Sequence, residues 1–529
     1  MWIIILQKRP QEYNVLNQIE EEEKSMNIKR AKEEIKNTIE AYLLKDNYGE
    51  YVIPQVRQRP VLLLGAPGIG KTQIMEQVAK ECGVGLVAYT ITHHTRQSAI
   101  GLPFVSKKAF GDREYTVTEY TMSEIVASIY EKMEKTGLKE GILFIDEINC
   151  VSETLAPAML QFLQCKSFGN HEIPQGWIIV AAGNPPEYNK SVREFDVVTM
   201  DRVKKIEVEP DFAVWKEYAV REQLHPAVIS YLNTRINNFY KMETTVDGRK
   251  FATPRGWEDL SVMLQVYDKL DKTMDREVVV QYIQHEIIAK DFANYLELYK
   301  KYQMDYQIEA VLEGHIDDMM LKKASHASFD ERLSVVSLLL SRCRKSFADA
   351  MLQEEVLGIL FENLKVLKAG FFGVHSGQPL VFFSEILKDF QKETARKKAA
   401  ELLSRREERI YRSVTEILER YLLNLQKEGV FTGANAFTMV KGWFDENHRE
   451  LDEMIDHAGE MLEHAFDFIE SAFGGGQEMV VFITELNSDY HSVRFLQEYD
   501  CERYYRYNQQ LLFEEGSRSI EARLRALGK

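Results

Sequence analysis

The segment GAPGIGKT, from Gly65 to Thr72, limits what this chain can fold into more than any other feature of the sequence. It fits the pattern G-x-x-x-x-G-K-[ST] in full, and the apolar run Val61–Leu64 before it predicts a short buried strand. The residues from Thr72 to Ala79 have the pattern of a helix that leaves the loop. Glycines allow close backbone approach, so several N–H groups can point at one phosphate chain beside the positive end of that helix. The segment therefore predicts a nucleotide site.

The last two residues of this loop, Lys71 and Thr72, have predicted roles in binding the nucleotide. Lys71 would reach the β- and γ-phosphates of ATP, and the Thr72 hydroxyl would lie on Mg²⁺. The alternative is a glycine-rich turn that only joins a strand to a helix, and such a turn requires neither the Lys-Thr pair nor this order of elements. The predicted cofactor-binding residues are Gly65, Ala66, Pro67, Gly68, Ile69, Gly70, Lys71 and Thr72.

An acidic pair, Asp146 and Glu147, follows a second apolar run at Ile142–Ile145. Such a run predicts a strand that is buried on both faces, and its carboxyl end would bring the two acids beside the phosphates. Asp146 would bind Mg²⁺ through water, and Glu147 would polarise the attacking water. An acidic pair after a strand is also typical of a helix cap. The phosphate loop upstream favours the catalytic interpretation.

Short apolar strands alternate with helical patterns from Val61 to about Pro210, which predicts a parallel sheet wrapped by helices. Beyond about Asp211 the strand patterns stop, and helical patterns continue nearly to the C-terminus. One glycine-punctuated stretch there, Lys368 to Pro379, predicts a loop between helices. The five predicted strands are Val61–Leu64, Leu86–Ile91, Ile142–Ile145, Trp177–Ala182 and Lys205–Val208.

A chain of 529 residues is too long for one ordinary core, and the patterns divide it into four segments. We expect a mainly helical N-terminal extension, an α/β nucleotide-binding domain, a helical lid and a helical C-terminal domain of unknown role. Met26 stands at the head of a better helical pattern than Met1 and is an alternative start. The four segments are 1–58, 59–210, 211–323 and 324–529.

The charge balance and the cysteines exclude some classes of function. The net charge is 66 − 82 = −16, which argues against a surface covered with nucleic-acid contacts. The five cysteines are scattered without a C-x-x-C pair, which favours free thiols in a reducing compartment. The apolar run at the N-terminus is too short for a signal-peptide core, and no run is long enough to span a bilayer. These patterns predict a cytoplasmic protein without a membrane partner.

The apolar run Trp177–Ala182 ends in Gly183-Asn184-Pro185-Pro186. An asparagine at a strand tip can bond a water or the γ-phosphate, or it can simply open a proline turn. With these motifs in this order the chain resembles the AAA+ ATPases, in which a polar sensor-1 residue stands at this place. The resemblance gives that role to Asn184 and implies an α/β P-loop AAA+ core.

The resemblance extends to the MoxR branch of the AAA+ ATPases through four short motifs. That branch carries a second arginine, sensor 2, which touches the γ-phosphate, and an arginine finger, which enters the neighbouring subunit's site. The resemblance gives these roles to Arg255 and Arg202. The chain lacks the usual Leu and Phe around Arg202, and Arg193 lies close by, so either arginine can be the finger. The motifs are DEIN (Asp146–Asn149), GNPPE (Gly183–Glu187), TMDR (Thr199–Arg202) and TPRGW (Thr253–Trp257).

A finger that acts on a neighbour implies a ring or open helical assembly, hexameric by resemblance. The resemblance also implies chaperone-like remodelling or activation of a partner, often a protein with a von Willebrand factor A-type domain. Two other functions stay open, a motor that moves nucleic acid and a nucleotide-gated scaffold without motor activity. Nucleic acid is the less expected partner because of the acidic balance.

A pair of histidines and a group of tyrosines each allow a functional interpretation and a purely structural one. His93 and His94 are adjacent, so on a strand they would point to opposite faces, and polar residues at a strand end are expected rather than a metal site. The tyrosines around Tyr499 and Tyr504 could stack on bases. A helical core with tyrosines at its rim is the more common arrangement.

Overall fold

A six-stranded, fully parallel sheet forms the centre of the first part of the chain, in the strand order β1-β10-β2-β9-β6-β3. The computed structural model describes residues 26–93, 95–168, 171–188, 195–245 and 248–512. The predicted α/β core is confirmed, and each of the five predicted strands lies in this sheet. The strands are β1 (Met26–Asn27), β2 (Val61–Gly65), β3 (Gly85–Thr90), β6 (Gly141–Asp146), β9 (Trp177–Gly183) and β10 (Lys204–Glu209).

Burial explains why the central strands read as continuous apolar runs. Every residue of β9, and every residue of β6 except Asp146, is buried, as expected for parallel strands that helices cover on both faces. The helices in this part of the chain are α1 (Ile28–Leu43), α2 (Lys71–Cys82), α3 (Arg96–Ile100), α4 (Glu124–Thr136), α5 (Ala156–Cys165) and α6 (Val197–Met200).

In the described residues, three antiparallel two-stranded sheets lie outside the central sheet. The longest is the hairpin of β4 (Pro103–Phe110) and β5 (Arg113–Tyr120), most of whose residues are exposed. The pair β11 (Lys241–Thr245) and β12 (Gly248–Ala252) corrects the expectation that strand structure stops near Asp211. The apolar runs that signal a buried strand are missing there because these strands are short and largely exposed. The third pair is β7 (Ser167–Phe168) and β8 (His171–Glu172).

The chain divides into two compact units. Unit 1 comprises residues up to Val214 together with two later segments, Thr253–Arg255 and Ala395–Ser404. Unit 2 comprises Trp215–Ala252, Gly256–Thr394 and the chain from Arg405 onward. The predicted division into four segments stays a prediction.

Helices dominate unit 2, and two of them are very long. α14 has 43 residues and α17 has 41, so each extends roughly 60 Å at 1.5 Å per residue. A core of buried leucine, valine and phenylalanine joins α14 to α15, α16 and α17. The helices described after residue 210 are α7 (Phe212–Arg221), α8 (Pro226–Thr234), α9 (Pro254–Lys269), α10 (Arg276–Tyr282), α11 (Glu286–Asp305), α12 (Ile308–Leu312), α13 (Asp318–His326), α14 (Phe329–Phe371), α15 (Pro379–Ala399), α16 (Arg405–Lys427), α17 (Gly433–Phe473), α18 (Gln477–Ser488) and α19 (Tyr490–Glu498). Residues 502–512 are helical as well.

No helix in the described part of the chain combines the length and the apolar character needed to cross a bilayer. All five cysteines are free thiols. The first 25 residues lie outside the described residues.

Candidate functional site

The loop between β2 and α2 is shaped by its glycines. Gly68 and Gly70 have φ angles of +76° and +94°, in the left-handed region that side chains disfavour. At Gly65 a Cβ atom would lie 2.7 Å from the carbonyl oxygen of Val208 on β10, so only glycine fits at the end of β2. α2 then begins at Lys71, and its amino end faces the loop. Of the other predicted loop residues, Ala66 and Ile69 are buried, whereas Pro67 is partly exposed.

Lys71 is buried, and its ammonium group is held by neutral oxygens alone. Nζ donates to the carbonyl oxygens of Gly65 and Ala66, each at 2.8 Å, and to Oδ1 of Asn184 at 2.9 Å. It forms no ion pair with a carboxylate of the described residues. Burial lowers the pKa of Lys71 to about 8, although the charges of Asp146 and Glu147 oppose that shift. The loop therefore presents a buried cation whose charge no side chain neutralises.

Thr72 and Asp146 lie side by side, as the sequence predicts for two groups around one Mg²⁺ ion. The Thr72 hydroxyl donates to Oδ2 of Asp146 at 3.0 Å, and Oδ1 of Asp146 accepts from the backbone N–H of Glu147 at 2.9 Å. Among the described residues, no group of three or more His, Cys, Asp or Glu side chains is arranged so that it could hold a metal ion. One hydroxyl and one carboxylate fit Mg²⁺, which takes few protein ligands and completes its shell with phosphates and water.

Glu147 stands immediately after β6 in a left-handed conformation, with φ at +57°. That conformation is uncommon outside glycine and is typical of functional positions. Its carboxylate accepts a hydrogen bond of 2.9 Å from the Thr92 hydroxyl, which follows β3. The sequence gives no signal for Thr92, because the two residues are 55 positions apart and neighbouring strands bring them together.

Asn184 follows β9, and its backbone is fixed by a second asparagine. The side chain of Asn149 donates to the Asn184 carbonyl at 2.7 Å and accepts from the Asn184 N–H at 3.3 Å. A Cβ atom at Gly183 would lie 2.6 Å from Oδ1 of Asn149, so the glycine makes this double contact possible. Asn149 holds the residue that bonds Lys71, and it has no assigned role in the sequence prediction.

The segment Thr253–Arg255 packs against the phosphate loop within unit 1. The Arg255 N–H donates to the Gly68 carbonyl at 3.1 Å, and a Cβ atom at Gly68 would lie 3.2 Å from the Thr253 side chain. The positive charge of Arg255 contributes to the lowered pKa of Lys71. The structure therefore brings the predicted sensor-2 arginine to the site.

Arg202 lies apart from these groups on the surface of unit 1. Its side chain is exposed, and its guanidinium donates to the side-chain oxygen of Gln164 on α5. Its action on a neighbouring subunit stays a prediction. The alternative finger, Arg193, lies outside the described residues, as do His94 and the side chain of His93.

The tyrosine-rich end of the chain forms bonds within unit 2. The Tyr504 hydroxyl donates to the Asn487 side chain at 2.6 Å, and that of Tyr505 donates to the Leu496 carbonyl at 2.9 Å. The Tyr507 hydroxyl bonds Glu470 at 2.8 Å. These bonds place the hydroxyls at the rim of a helical core.

Comparison with known proteins identifies the class of the site. Residues 61–200 match the family described as ATPase family associated with various cellular activities (AAA), which is 140 (200 − 61 + 1) of the 529 residues. No curated protein matches the chain. The matched segment contains the phosphate loop, the acidic pair and Asn184. It is an AAA-type ATPase domain, and that class binds nucleotide and hydrolyses ATP.

Proposed function

We propose that this chain is an ATP hydrolase of the MoxR-like AAA+ type, which uses ATP to remodel or activate a partner protein. The AAA-type domain is the premise of the proposal. The finer assignment, to the MoxR-like type, rests on the order of the four motifs in the sequence. The last two of these motifs contain Arg202 and Arg255.

The observation that carries the proposal is the buried ammonium group of Lys71, which only neutral oxygens hold. A buried charge without an ion partner is costly, and a phosphate chain would relieve that cost. The glycine loop and the amino end of α2 offer N–H groups to the same anion. Thr72 and Asp146 would hold Mg²⁺, which would neutralise phosphate charge when it is bound.

In this proposal the residues around the phosphates divide the work. Lys71 and Arg255 offset negative charge within one subunit. Glu147 orients and polarises the attacking water. Asn184 contacts the γ-phosphate and, through its hydrogen bond to Lys71, links that contact to the phosphate loop. Phosphoryl transfer needs little more from the protein than such positioning and charge neutralisation.

We further propose a ring assembly, hexameric by resemblance, in which Arg202 of one subunit completes the site of the next. The exposure of Arg202 is compatible with such a contact. The remodelling of a partner protein, including one with a von Willebrand factor A-type domain, follows from the resemblance to MoxR proteins. The proposal places this work in the cytoplasm.

The test compares ATP binding, ATP hydrolysis and partner capture in three forms of the full chain. We expect Lys71→Ala to abolish ATP binding. Glu147→Gln should bind ATP with hydrolysis reduced by at least about a hundredfold, because it lacks only the group that activates water. A protein retained by Glu147→Gln only in ATP would support remodelling and identify the client. Retention of nucleic acid instead, or wild-type hydrolysis at background level, would overturn the proposal.

A further inference from the structure

The ends of the long helices of unit 2 form a surface that the nucleotide site does not use. We call it the helical tip and define it as residues 365–382 and 427–441. It contains the end of α14, the loop to α15 and the turn between α16 and α17. The glycine-punctuated stretch that the sequence predicts as an interhelical loop lies in this surface.

Five large apolar side chains of the tip are exposed to solvent, and three of them lie outside its helices. Phe372 is 60% exposed, Phe431 is 80% exposed and Val374 is 96% exposed. Phe372 and Val374 follow α14, whereas Phe431 lies in the turn before α17. Exposed apolar side chains that are grouped in this way are typical of interaction sites, whereas single ones are ordinary.

Contacts of the backbone hold together the two loops that carry these side chains. The Gly433 N–H donates to the Ser376 carbonyl at 2.9 Å, and a Cβ atom at Gly433 would lie 2.0 Å from the Phe371 carbonyl oxygen. The ring of Phe372 packs edge-to-face on Phe437, with the ring centroids 5.5 Å apart. The two loops are therefore held against each other, which lowers the entropy lost when a partner docks.

The charge of the tip is opposite to that of the chain. The tip contains four lysines and one glutamate, which gives 4 − 1 = +3, whereas the whole chain carries −16. Lys368, Lys427 and Lys441 form no ion pair in the part of the chain that the structure describes. An acidic partner would be repelled by most of this chain and attracted here, so charge alone would direct it to the tip.

We propose that the helical tip is the docking surface for an acidic, amphipathic segment of a partner protein. The apolar side of that segment would cover Phe372, Val374 and Phe431, and its carboxylates would meet the lysines. Protein fits this surface better than lipid does. A fluid bilayer gains nothing from loops that are held in a fixed arrangement, whereas a folded segment can match them. The proposal does not depend on ATP hydrolysis.

The first test uses the full chain and two labelled amphipathic peptides, read by fluorescence anisotropy without nucleotide. One peptide has Leu and Phe on one helical face and Glu on the other, and its counterpart has Lys in place of each Glu. We expect the acidic peptide alone to bind wild type. The triple variant Phe372→Ser, Val374→Ser, Phe431→Ser should weaken that binding by at least about tenfold.

Reversing the charge of the tip lysines discriminates more sharply than removing the apolar side chains, because it should change which peptide binds. The variant Lys368→Glu, Lys427→Glu, Lys441→Glu should lose the acidic peptide and gain the basic one. A matched control carries the same change at three exposed lysines on α11 and α13, Lys290, Lys301 and Lys322, and should keep wild-type selectivity. Because all these side chains are exposed, thermal unfolding should be unchanged in both variants.

The second test places a photo-crosslinking residue at Val374 in cells, with Met319 on α13 as the control position. Segments crosslinked at Val374 alone should be acidic and amphipathic. Equal effects of the two charge variants, or the same crosslinked segments at both positions, would overturn the proposal. Binding to vesicles of phosphatidylserine and phosphatidylcholine that the tip variants abolish, without binding of the acidic peptide, would overturn it as well.

Discussion

At the scale of single residues, the protonation of Lys71 makes nucleotide affinity depend on pH. Burial lowers the pKa of Lys71 in the free protein to about 8. A bound phosphate chain favours the charged ammonium group and raises that pKa. Binding is therefore fully favourable below the pKa of the free protein. It weakens as the pH rises through that value, because Lys71 must then take up a proton.

The first prediction concerns the pH dependence of nucleotide affinity. The dissociation constant for ADP should be nearly constant from about pH 7 to about pH 8, and above that it should rise by up to about tenfold per pH unit. Isothermal titration or a fluorescent ADP analogue measures it. Arginine stays protonated throughout this range, so Lys71→Arg should bind with an affinity that does not change with pH. A flat wild-type profile would contradict the prediction.

The second prediction concerns the bond between Thr92 and Glu147. This bond holds the carboxylate toward β3 and uses one of its oxygens. We expect Thr92→Val to free Glu147 and to raise the basal ATPase rate by up to about tenfold, since one hydrogen bond to a charged group is worth roughly 1.5–3 kcal/mol. ATP affinity should not change. Thr92→Ser keeps the hydroxyl and should behave as wild type, whereas a fall in rate with Thr92→Val would show that Thr92 positions Glu147 for catalysis.

At the scale of helices and strands, two glycines of α17 show how packing decides the effect of one methyl group. Gly433 is the first residue of the helix, where its Cβ would collide with the backbone of Phe371. Gly442 is the tenth of the 41 residues of the helix and has nothing within 4 Å of a Cβ atom. The same substitution should therefore have opposite effects at these two positions.

The third prediction follows from that contrast. Gly433→Ala should destabilise the chain by about 1–3 kcal/mol, because the backbone of α14 cannot move aside cheaply. Gly442→Ala should stabilise it by about 0.5–1 kcal/mol through helix propensity. Chemical denaturation followed by circular dichroism measures both. Equal effects of the two substitutions would mean that the close approach of the two loops is not tight in solution.

The strands β6 and β9 at the centre of the sheet could be predicted because they are buried on both faces, so that their sequences are apolar runs, as in Trp177–Ala182. The β4–β5 hairpin has no such run, since its strands are exposed. It does have a two-residue turn, Gly111-Asp112, with Gly111 at a φ of +65°, and that signal was available in the sequence. The hydrogen bond between Thr92 and Glu147 depends on which strands are neighbours. The two hydrogen bonds between Asn149 and Asn184 depend on the same arrangement. Local patterns do not contain that information.

At the scale of the whole molecule, the fourth prediction tests whether the arginine finger acts between subunits. Arg202→Ala removes the proposed finger and keeps Glu147, whereas Glu147→Gln removes the catalytic acid and keeps the finger. Each variant alone should hydrolyse ATP at background level. Mixed in equal amounts, they should recover a measurable part of wild-type activity, because mixed rings contain sites with both groups.

Recovery in the mixture requires that both variants assemble, which sedimentation in ATP checks. The same mixture made with Arg193→Ala decides between the two arginines. Full activity of Arg202→Ala alone would remove it from the site. A mixture that assembles but stays inactive would mean that Arg202 acts within its own subunit.

The chain passes between the two units several times, which limits how recombination can exchange one unit for another in evolution. The chain returns to unit 1 at Thr253–Arg255 and again at Ala395–Ser404. A crossover after Val214 therefore replaces the segment that brings Arg255 to the phosphate loop. A single recombination event cannot exchange unit 2 for another module and keep a complete ATP site. The two units are bound to be inherited, and to be engineered, as one.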